Sequence, residues 1–297
     1  MGTNSTRLLV ADVDADSDPV ELERRSTVTR LGRGVDTSGQ LAPEAIDTVC
    51  ETVGGYLEIA RLLHAEPTVA LATSAVRDAD NGDAFIAELR ERFAIEARVI
   101  DGDTEARLTY AGAVAGRDVD GPTLVVDIGG GSTELIVGEG TDRIDFHESL
   151  QIGVVRHSER FLTRDPADSV ELEALARSVT SELVNARGRY GGPTPTRTIA
   201  VAGTPTSMAA IELGLDPYDT GAVEGHQLEL AFLQHELGRL ASLPVAERRL
   251  VTGLHPDRAP TIVAGVVILI GTMRAFGIET VEVSENDIML GAALEAA

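Results

Sequence analysis

The sequence has no lysine and no tryptophan, and it has a single cysteine. All 25 basic residues among its 297 are therefore arginine. The lack of lysine excludes a Walker-type P-loop, a protein-kinase active site and a Schiff-base mechanism, because each of these requires a lysine. Any phosphate chemistry must then rely on backbone amides, arginine and metal ions.

Positive charge is scarce overall. The chain has 48 acidic residues against 25 basic ones, which gives a net charge of −23. A surface this acidic repels nucleic acid, so we expect no nucleic-acid partner. A small anionic substrate is still compatible with this charge if a few arginines and a divalent cation surround it.

Long apolar runs and clustered metal ligands are also missing. The longest apolar stretch, residues 262–273, is shorter than the ~18 residues that a membrane span needs, so we expect a buried helix and no membrane partner. The lone Cys50 excludes an intramolecular disulfide, and the first ten residues lack a signal-peptide pattern. The six histidines show no spacing typical of zinc sites. We therefore expect a cytoplasmic protein.

Strand and helix patterns alternate along the chain, which predicts an α/β fold. Predicted strands lie at residues 69–72, 97–100, 123–126, 134–137, 197–201 and 280–283. Predicted helices lie near residues 43–64, 83–93, 104–115, 168–188, 227–241 and 260–276, and a last helix follows the final strand. The glycines and proline of residues 116–122 indicate a boundary between two domains. We expect domain I at residues 1–118, with the C-terminal helix (about 284–297) packed back on it, and domain II at 119–283.

Two segments resemble each other at an offset of 127 residues. MGTNSTRLLV at residues 1–10 matches IGGGSTELIV at residues 128–137 in five positions, which indicates a duplication, with chance similarity of glycine-rich turns as the alternative. The second copy predicts a strand, Asp127, a glycine-rich turn and a second strand. The first copy begins inside the turn, so its strand and its Asp would precede Met1. We expect the native start to lie upstream, and the chain as written to be poorly folded or weakly active.

Two segments combine small or glycine residues with charged ones. In DIGGGSTEL, the glycines let backbone N–H groups approach a phosphate, and Asp127 and Glu134 are suited to a divalent cation. A tight hairpin with incidental acids is the alternative. In ATSAVRDADN, Thr73 and Ser74 offer hydroxyls and Arg77 offers a charge partner for phosphate oxygens. An ordinary helix start with a solvated arginine would give the same residues.

Two further segments follow predicted strands. In DGDTEARL, Asp103 or Thr104 is expected to cap a helix with Glu105 in its first turn, where an acid also simply complements the helix dipole. In AGTPTS, Gly203 and Thr204 follow a buried strand and form a candidate loop for a phosphate or nucleotide. A plain strand-to-helix turn is the alternative there.

Taken together, eight segments resemble the exopolyphosphatase and guanosine pentaphosphate phosphatase (Ppx/GppA) family, within the actin, Hsp70 and sugar kinase superfamily. In chain order they are GTNSTRLLV, RLGRGVDTSGQL, ATSAVRDADN, GDTEARLTYAG, VVDIGGGSTEL, SLQIGVVRHSERF, AVAGTPTS and VEVSENDIMLGAAL. The resemblance covers essentially the whole chain and is similar to the short form of the family. It implies two ribonuclease-H-like (actin-like ATPase) domains with a cleft between them.

The resemblance also implies a mechanism, namely Mg²⁺-dependent hydrolysis of a terminal phosphoanhydride. It implies that Glu105 is the general base that activates water, and that Asp127 and Glu134 are the metal-site acids. The implied ligands of the terminal phosphoryl group are Asn4, Ser5, Arg77, Gly129, Gly130, Gly131 and Ser132. Family members carry a strand and an Asp immediately before the Gly-Thr-Asn-Ser turn, and this sequence lacks both.

We therefore expect an exopolyphosphatase that releases terminal phosphate from inorganic polyphosphate, with guanosine pentaphosphate as a further substrate and a homodimer as a compatible assembly. One alternative is a nucleotide hydrolase or kinase-like enzyme of the same superfamily, since fold alone does not specify chemistry. The other is a non-catalytic sensor that binds polyphosphate or guanosine nucleotides and regulates a partner.

Overall fold

A computed structural model describes residues 1–14, 19–141 and 143–297. The chain forms two folding units and passes from one to the other twice. Unit 1 comprises Met1–Gly116 and Ile288–Ala297, and unit 2 comprises Arg117–Asp287. Helices and strands alternate in both, so the predicted α/β fold is confirmed. None of the helices in the described ranges combines the length and apolar character that crossing a membrane requires.

The described residues of unit 1 form two separate two-stranded sheets with helices packed around them. Its elements up to the first crossing are β1 (Ser5–Asp12), β2 (Val20–Val28), α1 (Val35–Ser38), α2 (Pro43–Leu62), β3 (Val69–Ala72), α3 (Ser74–Arg77), α4 (Gly82–Phe93), β4 (Glu96–Val99) and α5 (Gly102–Val114). β1 pairs with β2 antiparallel, and β3 pairs with β4 parallel. Val49 and Val53 of α2 and Phe85 and Leu89 of α4 meet in one buried cluster.

Unit 2 is built on one six-stranded sheet. Its elements are β5 (Thr123–Ile128), β6 (Thr133–Glu139), β7 (Arg143–Leu150), α6 (Val154–Phe161), α7 (Ser169–Tyr190), β8 (Arg197–Val201), α8 (Gly203–Leu213), α9 (Thr220–Val223), β9 (Gln227–Glu229), α10 (Leu230–Ser242), α11 (Val245–Arg248), a 3₁₀ turn (Pro256–Arg258), α12 (Ile262–Phe276) and β10 (Thr280–Val283). The strand order is β7-β6-β5-β8-β10-β9. All six residues of β5 are buried, as expected for a central strand covered on both faces.

The predicted apolar helix over residues 260–276 is α12, and most of its side chains lie in the core of unit 2. The prediction of one helix over residues 227–241 was wrong at its start, because Gln227–Glu229 pairs with β10 as the edge strand β9. The sequence patterns also missed β2 and β7. No residue of β2 is buried, and its only apolar residues are Val20, Leu22 and Val28, so its sequence does not continue the apolar alternation that predicts a strand.

The two copies of the repeat form the same turn. The Gly2 amide donates to the Ser5 carbonyl at 3.0 Å, and the Gly129 amide donates to the Ser132 carbonyl at 3.0 Å. Their sheets differ, however. In unit 2, β5 lies between β6 and β8, whereas in unit 1 no strand of the described residues joins β1 to β3.

The last helix, α13 (Ile288–Ala296), returns to unit 1 and packs on α5. The two helices are so close that a Cβ at Gly291 would overlap the carbonyl oxygen of Leu108. Ile288 joins Ile100 and Leu108 in a small buried cluster. The C-terminal ten residues therefore support the helix on which Glu105 lies.

Candidate functional site

Glu105 and Arg77, two residues predicted for separate roles, form an ion pair in unit 1. Arg77 Nη1 donates to Glu105 Oε2 at 2.9 Å and to the carbonyl oxygen of Ile100 at 3.0 Å. The Glu105 side chain is only 8% exposed, and that of Arg77 is 26% exposed. A buried carboxylate held by one arginine is a candidate acid–base group rather than a solvated helix residue.

The environment of Glu105 raises the pKa of its carboxyl group above the ordinary value. Burial is the largest cause, because it penalises the charged form. The hydrogen bond and the charge of Arg77 lower the pKa and oppose burial without reversing it. A carboxyl group whose pKa is shifted towards neutral pH is suited to accept a proton from water.

The start of α5 differs from the prediction. Neither Asp103 nor Thr104 caps the helix, because the side chain of Asp101 accepts a hydrogen bond from the Thr104 amide at 2.8 Å. Asp101 has an extended backbone two residues after the end of β4, and the helix begins at the next residue, Gly102. Glu105 still lies in the first helical turn, as predicted, but on its buried side.

The Gly-Thr-Asn-Ser turn of residues 2–5 lies against the junction between β3 and α3. The hydroxyls of Thr3 and Ser74 form a hydrogen bond with 2.9 Å between Oγ1 and Oγ, and both residues are buried. The Ser74 hydroxyl is therefore engaged in a contact within unit 1. The side chains of Asn4 and Ser5 make no hydrogen bond within the described part of the chain. The structure thus brings this turn next to the helix that ends at Arg77.

The glycine-rich turn of unit 2, residues 129–132, is held by the start of α6. The amides of Val154 and Val155 donate to the carbonyls of Gly129 and Gly130 at 3.0 and 2.9 Å. The contact is so close that a Cβ at Gly153 would overlap the carbonyl of Gly130. Sequence reasoning missed the part played by Gly153, whose only signal was its place in the SLQIGVVRHSERF segment.

Asp127 and Glu134 face each other across the hairpin that this turn closes. They are register partners in the antiparallel pair β5–β6, so their side chains lie on the same face of the sheet with Cβ atoms ~5 Å apart. Their exposed fractions are 8% and 3%, and Ser149 Oγ donates to Glu134 Oε1 at 2.9 Å. Two buried carboxylates at this spacing repel each other, and a divalent cation relieves that repulsion.

The described residues contain no group of three or more His, Cys, Asp or Glu side chains suited to a metal ion. Mg²⁺ does not need such a group, because it is usually bound by one or two carboxylates together with water and substrate phosphates. The pair Asp127 and Glu134 therefore fits Mg²⁺ and does not fit zinc, which takes three or four protein ligands.

Gly203 and Thr204, which were predicted to form a loop, are the first two residues of α8, and only Ala202 separates them from β8. Ala202 adopts φ 70° and ψ −169°, a conformation that only glycine adopts readily. A Cβ at Gly203 would fall on the guanidinium of Arg258, so a side chain there would displace the arginine. Thr204 is buried against Gly265 of α12. A role in binding phosphate or nucleotide stays a prediction for Gly203 and Thr204.

Known proteins with similar sequences share this architecture. Residues 9–292 match the model of the Ppx/GppA phosphatase family. The chain is 36% identical to exopolyphosphatase 2 of Mycobacterium tuberculosis H37Rv over 309 aligned positions, which cover 100% of this chain and 96% of that protein.

Solved structures of similar proteins superpose over nearly the full length. The crystal structure of an exopolyphosphatase from Cytophaga hutchinsonii is 26% identical with a TM-score of 0.89, covering 100% of this chain and 96% of that one. The crystal structure of the Aquifex aeolicus Ppx/GppA family member is 27% identical with a TM-score of 0.84, covering 99% and 94%.

Proposed function

Because the chain belongs to the Ppx/GppA phosphatase family and is a phosphoanhydride hydrolase, we propose that it is an exopolyphosphatase that releases terminal phosphate from inorganic polyphosphate. The relatives named exopolyphosphatase support this substrate, and guanosine pentaphosphate is a second substrate to be tested beside it. The observation that carries the proposal is the buried ion pair between Glu105 and Arg77.

Glu105 is proposed as the general base. Its carboxylate is held in one orientation by Arg77, and its raised pKa makes it a better proton acceptor at neutral pH than an exposed carboxylate. The base takes a proton from water as the water oxygen attacks the terminal phosphorus. The phosphoanhydride bond then breaks, and the shortened chain leaves with its oxygen negatively charged.

The amides of Gly130, Gly131 and Ser132 in the glycine-rich turn are proposed to bind the terminal phosphoryl group. The Gly129 amide, which was also expected to bind it, instead donates to the Ser132 carbonyl within the turn. Gly129, Gly130 and Gly131 carry no side chains that would keep a phosphate away from the backbone, and the Ser132 hydroxyl makes no hydrogen bond within the described residues. Backbone N–H groups and a hydroxyl stabilise charge on phosphate oxygens without lysine. Asn4, Ser5 and Arg77 are proposed to supply further donors.

Asp127 and Glu134 are proposed to hold Mg²⁺. When bound, this ion neutralises charge on the phosphate oxygens and so lowers the repulsion between a polyanionic substrate and an acidic protein. The two carboxylates would bind and orient the metal ion, and neither is needed as the proton acceptor. This division of roles agrees with their position on one hairpin and with the location of Glu105 on a separate helix.

The test is phosphate release with Mg²⁺ from polyphosphate, guanosine pentaphosphate and ATP, by the wild type and Glu105→Gln. We expect turnover of polyphosphate to fall by about 10²–10⁴-fold in the variant, because that is the usual contribution of a general base, while polyphosphate binding persists. Asp103→Asn is the matched control, since Asp103 is an exposed acid in the same helical turn.

The outcomes of this test distinguish an exopolyphosphatase from a nucleotide hydrolase or kinase-like enzyme and from a non-catalytic sensor. Unchanged turnover in Glu105→Gln would remove Glu105 from its role as base. Turnover of ATP alone by the wild type would indicate a nucleotide hydrolase or kinase-like enzyme. Tight binding of polyphosphate without phosphate release from any substrate would indicate a sensor.

A further inference from the structure

The last carbonyl of the glycine-rich turn is held by an arginine side chain. The first two carbonyls of the turn accept from backbone amides of α6, but the carbonyl of Gly131 accepts from Arg156 Nε at 2.7 Å. Arg156 lies in the first turn of α6, half-buried, and Gly131 is buried. The guanidinium is therefore part of the support of the turn and not a solvated surface charge.

These bonds decide where the amides of the turn point. The carbonyl of one residue and the N–H of the next lie in one planar peptide and point in opposite directions. Fixing the carbonyls of Gly129, Gly130 and Gly131 towards α6 thus directs the N–H groups of residues 130, 131 and 132 away from α6. None of these three amides donates to another group within the described ranges of the chain. Buried amides without acceptors are costly unless a ligand satisfies them.

Comparison of the two copies of the repeat shows that the Arg156 side chain takes the place of backbone donors in the first copy. In the first copy, Asn4 is the counterpart of Gly131, and its carbonyl accepts from the backbone amides of Thr29 and Arg30 at 3.0 and 2.9 Å. In the second copy the side chain of Arg156 replaces those donors. The same carbonyl is satisfied in both turns, but only in unit 2 can a side-chain substitution remove its donor.

We propose that Arg156 is a positioning residue, which holds the Gly131–Ser132 peptide so that the Ser132 amide faces the terminal phosphate of the substrate. This inference rests on the proposed function for its ligand, but the peptide orientation itself does not depend on it. Arg156 acts through the turn and is not required to touch the substrate.

Kinetics provide the first test, with Arg156→Ala, Arg156→Lys and the control Arg160→Ala. Arg160 lies one turn further along α6, is exposed and stacks on Phe161. We expect kcat/KM for polyphosphate to fall by about tenfold to a hundredfold in Arg156→Ala, since a buried carbonyl loses its charged donor. Inhibition by orthophosphate should weaken by a similar factor. Millimolar guanidinium should restore part of the activity of Arg156→Ala and leave the activity of the control unchanged.

A second measurement, by NMR, observes the Gly131–Ser132 peptide directly. Gly131–Ser132 is the only Gly-Ser pair in the sequence, so a sample labelled with [¹³C′]glycine and [¹⁵N]serine gives a single peak in an HNCO spectrum. Its carbonyl shift reports the hydrogen bond from Arg156, and its amide shift reports a bound phosphate. We expect Arg156→Ala to move the carbonyl shift, and tripolyphosphate to move the amide shift in the wild type more than in the variant.

The two measurements distinguish failure of this inference from failure of the proposed function. If Arg156→Ala lowers only the melting temperature, with kcat/KM, orthophosphate inhibition and the Ser132 peak unchanged, Arg156 has no positioning role. If the protein releases no phosphate from polyphosphate, yet the peak moves in Arg156→Ala and responds to tripolyphosphate, the inference stands and the proposed function falls. Arg156→Lys, which keeps the charge, is the second variant should Arg156→Ala not fold.

Discussion

The contact between Gly153 and the glycine-rich turn allows a substitution whose effect is almost purely steric. Gly153 has φ −126° and ψ 159°, an extended conformation that alanine adopts without strain. In Gly153→Ala the new Cβ would lie 2.5 Å from the carbonyl carbon of Gly130 and closer still to its oxygen. Both atoms belong to the backbone, so no side-chain rotation can relieve the overlap.

The size of the effect follows from the distance that must be gained. The Cβ and the Gly130 carbonyl carbon must separate by a further ~1 Å to reach ordinary van der Waals contact, and a 1 Å displacement of groups around a reacting centre costs about a hundredfold in rate. The same movement stretches the hydrogen bonds from Val154 and Val155 to the turn. We therefore expect kcat/KM to fall about a hundredfold, and the free energy of unfolding to fall by about 1–3 kcal/mol, as for other overpacked sites.

Phosphate release from polyphosphate and chemical unfolding measure the two quantities on the same preparation. Gly188→Ala is the matched control, because Gly188 lies in α7 of the same unit with no atom within 4 Å of its new Cβ. Replacing this helical glycine should raise stability by about 0.5–1 kcal/mol and leave kcat/KM unchanged. Wild-type kcat/KM in Gly153→Ala would refute the argument that the position of the turn matters for the reaction.

Two further predictions concern charge. Arg77→Gln removes the group that lowers the pKa of Glu105 and leaves burial, which raises it, so the acidic limb of the pH–kcat profile should move to higher pH; a limb that stays in place would contradict the assignment of Glu105 as base. Asp127→Asn removes one of two facing carboxylates, and like charges directly opposite each other destabilise a sheet. The melting temperature without Mg²⁺ should therefore rise, while the further increase caused by Mg²⁺ shrinks. An equal Mg²⁺ effect on both proteins would argue against a metal site at this pair.

Much of the fold was predictable because local patterns encode local structure. The alternation of apolar strands and helices predicted the α/β class, and the apolar run at residues 262–273 predicted the buried helix α12. The offset of 127 residues predicted the matching turns, each of which is closed by its own hydrogen bond of 3.0 Å. Strand β2 escaped prediction because none of its residues is buried, and the cap of α5 was misplaced because an Asp, a Gly and a second Asp precede Thr104 in sequence.

The candidate site was predictable only as a set of residue types. The sequence by itself determined that phosphate would have to be bound without lysine, and it supplied the glycine-rich turn, the paired acids Asp127 and Glu134, and the candidates Arg77 and Glu105. Composition and spacing of this kind are properties of short segments. They exclude some mechanisms and favour others without stating which side chains meet.

Only the tertiary structure determined which of these side chains and backbone groups are in contact. Arg77 and Glu105 are 28 residues apart in sequence, and they pair because α3 and α5 follow neighbouring parallel strands. Arg156 reaches the carbonyl of Gly131 because α6 begins where the β6–β7 hairpin returns to the turn. The physical reason is that burial, which raises the pKa of Glu105, and hydrogen bonding, which orients the turn, depend on chain segments that are distant in sequence and meet only once the sheets have formed.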